Sequence, residues 1–234
     1  MLTEAIGDLL SAAAAVALSP IPIVAVVVVL GTPRARTSGP AFALGWILGL
    51  AAVSVLVLLL LPDADDPDSD AARGVSWGEV AIGLLFLGMA AKQWRKRPGP
   101  GQPAEKPKWM ATLGSVTPAR ATGLGLALSG ANPKNLALTL AAAASIAEAG
   151  LDRTDTALAV GAYVAVGSIT VAGSVILYLI DSERAERPLA SIKRFMSDYN
   201  AVIMMVILLL LGAKLLGNGL GGALGLIQAT KQWS

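Results

Sequence analysis

The chain has 234 residues, 55% of them hydrophobic and only 15% charged, with a mean hydropathy of +0.66. A soluble domain carries about 25% charged residues, so this composition describes a polytopic membrane protein. The absence of cysteine and histidine excludes disulfides, thiolate metal sites and thiol redox chemistry and removes the usual near-neutral proton carrier, while the net charge of +2 matters less than where the charges fall.

Six apolar spans are predicted, each near the roughly 20 residues that cross about 30 Å of hydrocarbon. The first runs from Leu9 to Leu30 after the acidic Glu4 and Asp8, which do not resemble the basic start of a signal peptide. Within it, Leu18-Ser19-Pro20-Ile21-Pro22 places two prolines in an otherwise unbroken apolar run. Proline removes a backbone donor and clashes with the preceding turn, so the span is predicted to bend or break there. Arg34 and Arg36 follow it, either as topology signals that touch lipid headgroups or as part of a cytoplasmic gate. The second span covers Ala41 to Leu61, with Gly45 and Gly49 spaced for close helix approach. An acidic loop follows (Asp63, Asp65, Asp66, Asp68 and Asp70), and its spacing matches no calcium loop.

The third span lies between Trp77 and Trp94, roughly 25 Å apart along a helix and fit for two interfacial anchors. Next comes the longest loop, Lys92 to Arg120, basic and rich in proline and glycine. The fourth span, Gly123 to Ala147, contains Leu128-Ser129-Gly130-Ala131-Asn132-Pro133-Lys134, a second interruption that answers the first. The fifth runs from Thr156 to Ile180 and the sixth from Ala201 to Leu216, joined by a basic loop with Arg184, Arg187, Lys193 and Arg194. Glu79, Glu148 and Lys214 lie near span ends, where solvation or snorkelling is expected.

Basic loops one, three and five alternate with acidic ones, which puts the odd loops in the cytoplasm and both termini outside. The expected organisation is a first three-helix repeat over 1–97, a cytoplasmic loop over 98–120 and a second repeat over 121–234. Ala17-Leu18-Ser19 matches Ala127-Leu128-Ser129, each followed within four residues by proline. An odd number of spans per half makes this an all-α, six-helix fold of two inverted-topology repeats. Paired interruptions in such halves point to a transporter binding site.

On these residues, together with the Gly31-Thr32-Pro33-Arg34-Ala35-Arg36 turn, the chain resembles the GAP family, also described as the sulfolipid-1-addressing protein (Sap) family, of the LysE exporter superfamily. The resemblance covers nearly the whole chain. It implies an actinobacterial inner-membrane protein that helps export complex glycolipids or related envelope lipids.

The candidate substrate-binding residues are Ser19, Pro20, Pro22, Ser129, Asn132, Pro133, Lys134 and Asn135, with Thr139 extending the polar stripe. A lysine at mid-helix costs roughly 2.5–3.5 kcal/mol on insertion scales and is functional by default. Lys134 would meet a sulfate, phosphate or carboxylate; alternatively the apolar run starts near Leu136 and Lys134 snorkels to the cytoplasmic face. The proline breaks are read as cavity-lining or, alternatively, as packing kinks.

The leading expectation is an exporter or flippase-like protein for an anionic envelope lipid, a glycolipid or phospholipid, working by alternating access. Alternatives are export of a small substrate such as a cationic amino acid, and a scaffold that couples a lipid synthase to a separate transporter. No enzyme activity is expected, because no histidine-based catalytic set exists and Ser129 with Lys134 lacks supporting context. No cofactor, metal or nucleic-acid partner is expected; a lipid synthase, a transporter and a second copy in a homodimer are the protein partners considered.

Overall fold

The computed structural model describes residues 2–60, 70–95, 97 and 116–232. These form helices α1 (Leu2–Ala17), α2 (Pro20–Leu30), α3 (Ala35–Leu60), α4 (Asp70–Arg95), α5 (Pro118–Gly130), α6 (Pro133–Glu148), α7 (Arg153–Ile180), α8 (Ser182–Asp198) and α9 (Asn200–Gln232), with no strand among the described residues. The acidic stretch at 63–69 and most of the 98–120 loop lie outside them. The helix after that loop already begins at Pro118, earlier than the expected boundary at 121.

By length and hydropathy three described helices qualify as membrane spans: Ala35–Leu59, Arg153–Ile180 and Asn200–Gly221. The α1–α2 pair, bent by 43°, makes a fourth if it is one span. Helix α4 and the α5–α6 pair carry the other two expected spans; both are helical there, but neither meets that measure among the described residues. Large apolar side chains such as Leu59, Ile169, Ile180 and Leu210 project outward from the three qualifying helices, as lipid-facing residues do.

Prolines start three helices. Pro20, Pro118 and Pro133 each open a helix, where the missing N–H is one of the donors a helix leaves unpaired anyway. The break in the first apolar run therefore falls just before Pro20, at Leu18–Ser19. Helix α2 is apolar on all faces because nearly every residue in it is buried, from Pro20 and Pro22 to Val29 and Leu30. Around it sits the core, with Phe42, Trp46 and Leu50 of α3, Val16 of α1 and Tyr163 of α7.

Contacts fix which ends meet. The Ser38 hydroxyl near the start of α3 donates to Val116 O just before α5, at 3.0 Å. From there α3 and α5 run side by side in the same direction, with Gly45 against Thr122, Gly49 against Leu126 and Val53 against Gly130. A Cβ at Gly45 or Gly125 would overlap the backbone of the facing helix, so these glycines set the closeness of the pair. Helices α4 and α9 pack through Gly83 and Gly212, whereas Gly88 faces open space. Helix α1 lies on α7, and the Trp46 indole of α3 donates to Gly167 O of α7 at 3.3 Å.

Helix α5 thus begins at the end of the bundle where α2 finishes, because α3 follows α2 through the short 31–34 turn. The α1–α2 and α5–α6 pairs consequently run in opposite directions.

Candidate functional site

The two breaks meet inside the bundle. A helix leaves its last four carbonyls without intrahelical partners, and α1 satisfies all four of its own at the break. Ala14 O accepts from Leu18 N at 2.9 Å and Val16 O from Ser19 N at 3.1 Å. Ala17 O accepts from the Thr170 hydroxyl of α7 at 2.6 Å. Ala15 O accepts from the Lys134 ammonium of α6 at 2.9 Å and from the Ser19 hydroxyl at 3.2 Å. The ammonium also donates to Ser19 Oγ.

Lys134 is 3% exposed, so it does not snorkel to a surface. Its ammonium meets neutral oxygens, and no carboxylate pairs with it among the described residues. What favours the charge there is the negative end of the α1 dipole.

The second break is built differently. Asn132 caps α6, its side-chain oxygen accepting from Lys134 N at 3.1 Å. Asn135 is fully buried and reaches back across the break, donating from Nδ2 to Leu128 O of α5 at 2.8 Å. Its Oδ1 is buried without a partner. Thr139 donates to Asn135 O at 2.8 Å and lies 3.0 Å from the Tyr163 hydroxyl of α7, which extends the polar stripe along α6.

The structure therefore brings Ser19, Asn132, Lys134 and Asn135 to one junction, with Pro20 and Pro133 opening the two helices that leave it. Pro22 is buried in the first turn of α2. Ser129 is separate: its hydroxyl bonds back to Gly125 O and Leu126 O of its own helix, and it packs on Gly49. Arg34 and Arg36 are exposed at the α2–α3 turn, away from the junction.

Sequence reading missed Thr170, because a threonine in a long apolar helix carries no mark of which carbonyl it will reach. It also took Glu79 for a solvated span-end group, whereas Glu79 is only 9% exposed. Glu79 lines a water-sized cavity of about 30 Å³ with Ser145, Lys214 and Asn218, and Lys214 donates to the Ser11 hydroxyl at 3.0 Å. The basic stretch after the fifth span is likewise no loop but helix α8. This helix walls a cavity of about 470 Å³ with the ends of α2 and α7.

The two cavities lie at opposite ends of the bundle. The large one adjoins the end of α2, where α3 and α5 begin; the small one lies between Ala12 of α1, Glu79 of α4, the Leu138–Ser145 stretch of α6 and α9. The Lys134 junction lies between them along α6.

Comparison with known proteins returned no curated protein and no solved structure that matches. One family model matches residues 9–221, described as Sap, sulfolipid-1-addressing protein. Together with the apolar helices, this match over most of the chain makes the protein a membrane-embedded member of the Sap family.

Proposed function

We propose that the protein helps move an anionic envelope lipid outward across the bacterial inner membrane by alternating access around the Lys134 junction. The family's description, sulfolipid-1-addressing, speaks for a role in exporting or delivering such a lipid. The observation that carries the reading is the buried ammonium of Lys134, held by Ala15 O and Ser19 where two broken helices meet. A lysine held by neutral oxygens is able to exchange them for a sulfate or phosphate, which binds an ammonium more strongly than a carbonyl does.

In this reading the chain crosses the membrane six times, through α1–α2, α3, α4, α5–α6, α7 and α9, as two inverted repeats with both termini outside. The opposite directions of the two broken pairs support it, as does the exchange symmetry of the packing: α3 lies on α5 as α7 lies on α1. Kinship with the LysE exporters belongs to the same reading. A lipid synthase or separate transporter, or a second copy of the chain, would act as partner, and no catalytic step is assigned to the protein.

The decisive test is reconstitution in liposomes that contain an anionic glycolipid, with and without a pH gradient. Lys134→Ala is expected to lower outward movement by at least about tenfold at normal protein levels, the loss expected for removing a charge-assisted contact, and Asn132→Ala by about fivefold, through loss of the cap that sets the start of α6. Unchanged movement in both variants would sink the reading. The complete satisfaction of the α1 carbonyls favours a second reading, in which Lys134 pins a non-transporting scaffold that couples lipid synthesis to export. Under it, the purified protein moves no lipid in any variant.

A further inference from the structure

Helix α8 connects two helices that qualify as membrane spans, α7 and α9, so it lies at the edge of the membrane. Its sequence has three faces. Pro188, Ile192, Phe195 and Tyr199 recur at helical spacing and are all exposed, with Phe195 and Tyr199 rings 5.0 Å apart. Arg184, Arg187 and Arg194 lie along one side of that stripe, also exposed. An apolar stripe bordered by cations is the pattern of a helix lying in the headgroup layer. The remaining face (Ser182, Glu183, Glu186, Leu189, Ala190 and Lys193) walls the 470 Å³ cavity.

That cavity has the size of a small-molecule site, which typically spans about 300–1,000 Å³. Its apolar part is Val27 and Leu30 of α2 with Leu189 of α8. Its polar part holds two carboxylates, one ammonium and the hydroxyls of Thr32, Tyr178 and Ser182. Ionised carboxylates only accept hydrogen bonds, so Glu183 and Glu186 want donors. They repel a bare anion, and Lys193 offsets part of their attraction for a simple cation. A neutral group with many hydroxyls meets all three side chains: its O–H groups donate to the glutamates and its oxygens accept from the lysine.

We infer that this cavity is a binding site for the hydroxyl-rich headgroup of a lipid, held at headgroup level by α8, with the chain end of the molecule along Val27, Leu30 and Leu189. The inference rests on the lipid-moving reading only for the identity of its occupant as a lipid in transit. It assigns headgroup selection to the α8 glutamates and leaves the anionic group to the Lys134 junction.

The chain has no cysteine, so Ala190→Cys on the cavity wall is a unique reporter. Its maleimide labelling is measured in nanodiscs of neutral lipid with dodecyl maltoside, dodecyl sulfate or dodecyltrimethylammonium added at equal concentration. Thr154→Cys, exposed at the start of α7, serves as the control for general amphiphile effects. Dodecyl maltoside is expected to slow labelling of the Ala190→Cys reporter selectively. Adding Glu183→Gln with Glu186→Gln is expected to weaken that protection about tenfold, because the amide oxygens still accept but the charge-assisted part of two hydrogen bonds is lost. Equal or better protection by the sulfate or the ammonium probe would overturn the inference, as would protection that survives the double substitution or no protection at all. The assay reads occupancy and not transport, so export can fail while protection stands, and the reverse.

Discussion

The two helix breaks use the same opening and different closings. Each places a polar residue before a proline that starts a new helix: Ser19 before Pro20, Asn132 before Pro133. Asn132 caps the helix it precedes, so the second break is completed from within its own half. Ser19 makes no side-chain cap to α2; its hydroxyl turns back to Ala15 O and receives Lys134 from 115 residues away. The first break is thus finished by α6 and α7, the second mostly by itself. One break is therefore self-sufficient, and the other exists only in the assembled bundle.

Substitutions at the two breaks separate these cases. The largest loss of stability is expected for Thr170→Val, which strips Ala17 O of its donor and keeps the side-chain shape; an unsatisfied buried carbonyl costs about 1–3 kcal/mol. Equilibrium unfolding in detergent checks this, and an unchanged midpoint would mean that the first break does not depend on α7. Next comes Asn132→Ala, which removes the cap of α6 and is expected to cost about 1 kcal/mol in the same measurement. Ser19→Ala loses no cap, yet it takes one of two acceptors from the buried Lys134 ammonium, so a cost of at least about 1 kcal/mol is expected. No loss at Ser19 would mean that the first break does not depend on α6.

Much of this was legible in the chain. Three of the expected apolar spans are helices long and apolar enough to cross a membrane, and the prolines that start α2 and α6 and the close-approach glycines Gly45 and Gly49 act through rules that hold within one or two turns. The expectation for Lys134 was right about its unusual depth and silent about its partners. It was read as facing an anion, and in the structure its ammonium closes on the end of α1. Ser129 looked equivalent to Ser19 because both follow Ala-Leu, yet it points into the α3–α5 contact. Glu79 and the basic stretch at 184–194 were misread for a related reason. Distance from a span end says nothing of which neighbour covers a side chain, and a cationic run with apolar residues at helical spacing is a surface helix whenever spans lie on both sides of it.

The sequence by itself determined where helices start and stop, because a missing N–H or a fixed φ acts on the next turn whatever surrounds it. Only the tertiary structure decided what the freed groups would meet. A carbonyl released at Ala15 or Ala17 takes the nearest donor, and nearness between residues 15 and 134, or 17 and 170, is set by helix packing. The same packing set the large cavity under α8, whose wall draws on residues from α2, α7 and α8 that no local pattern links.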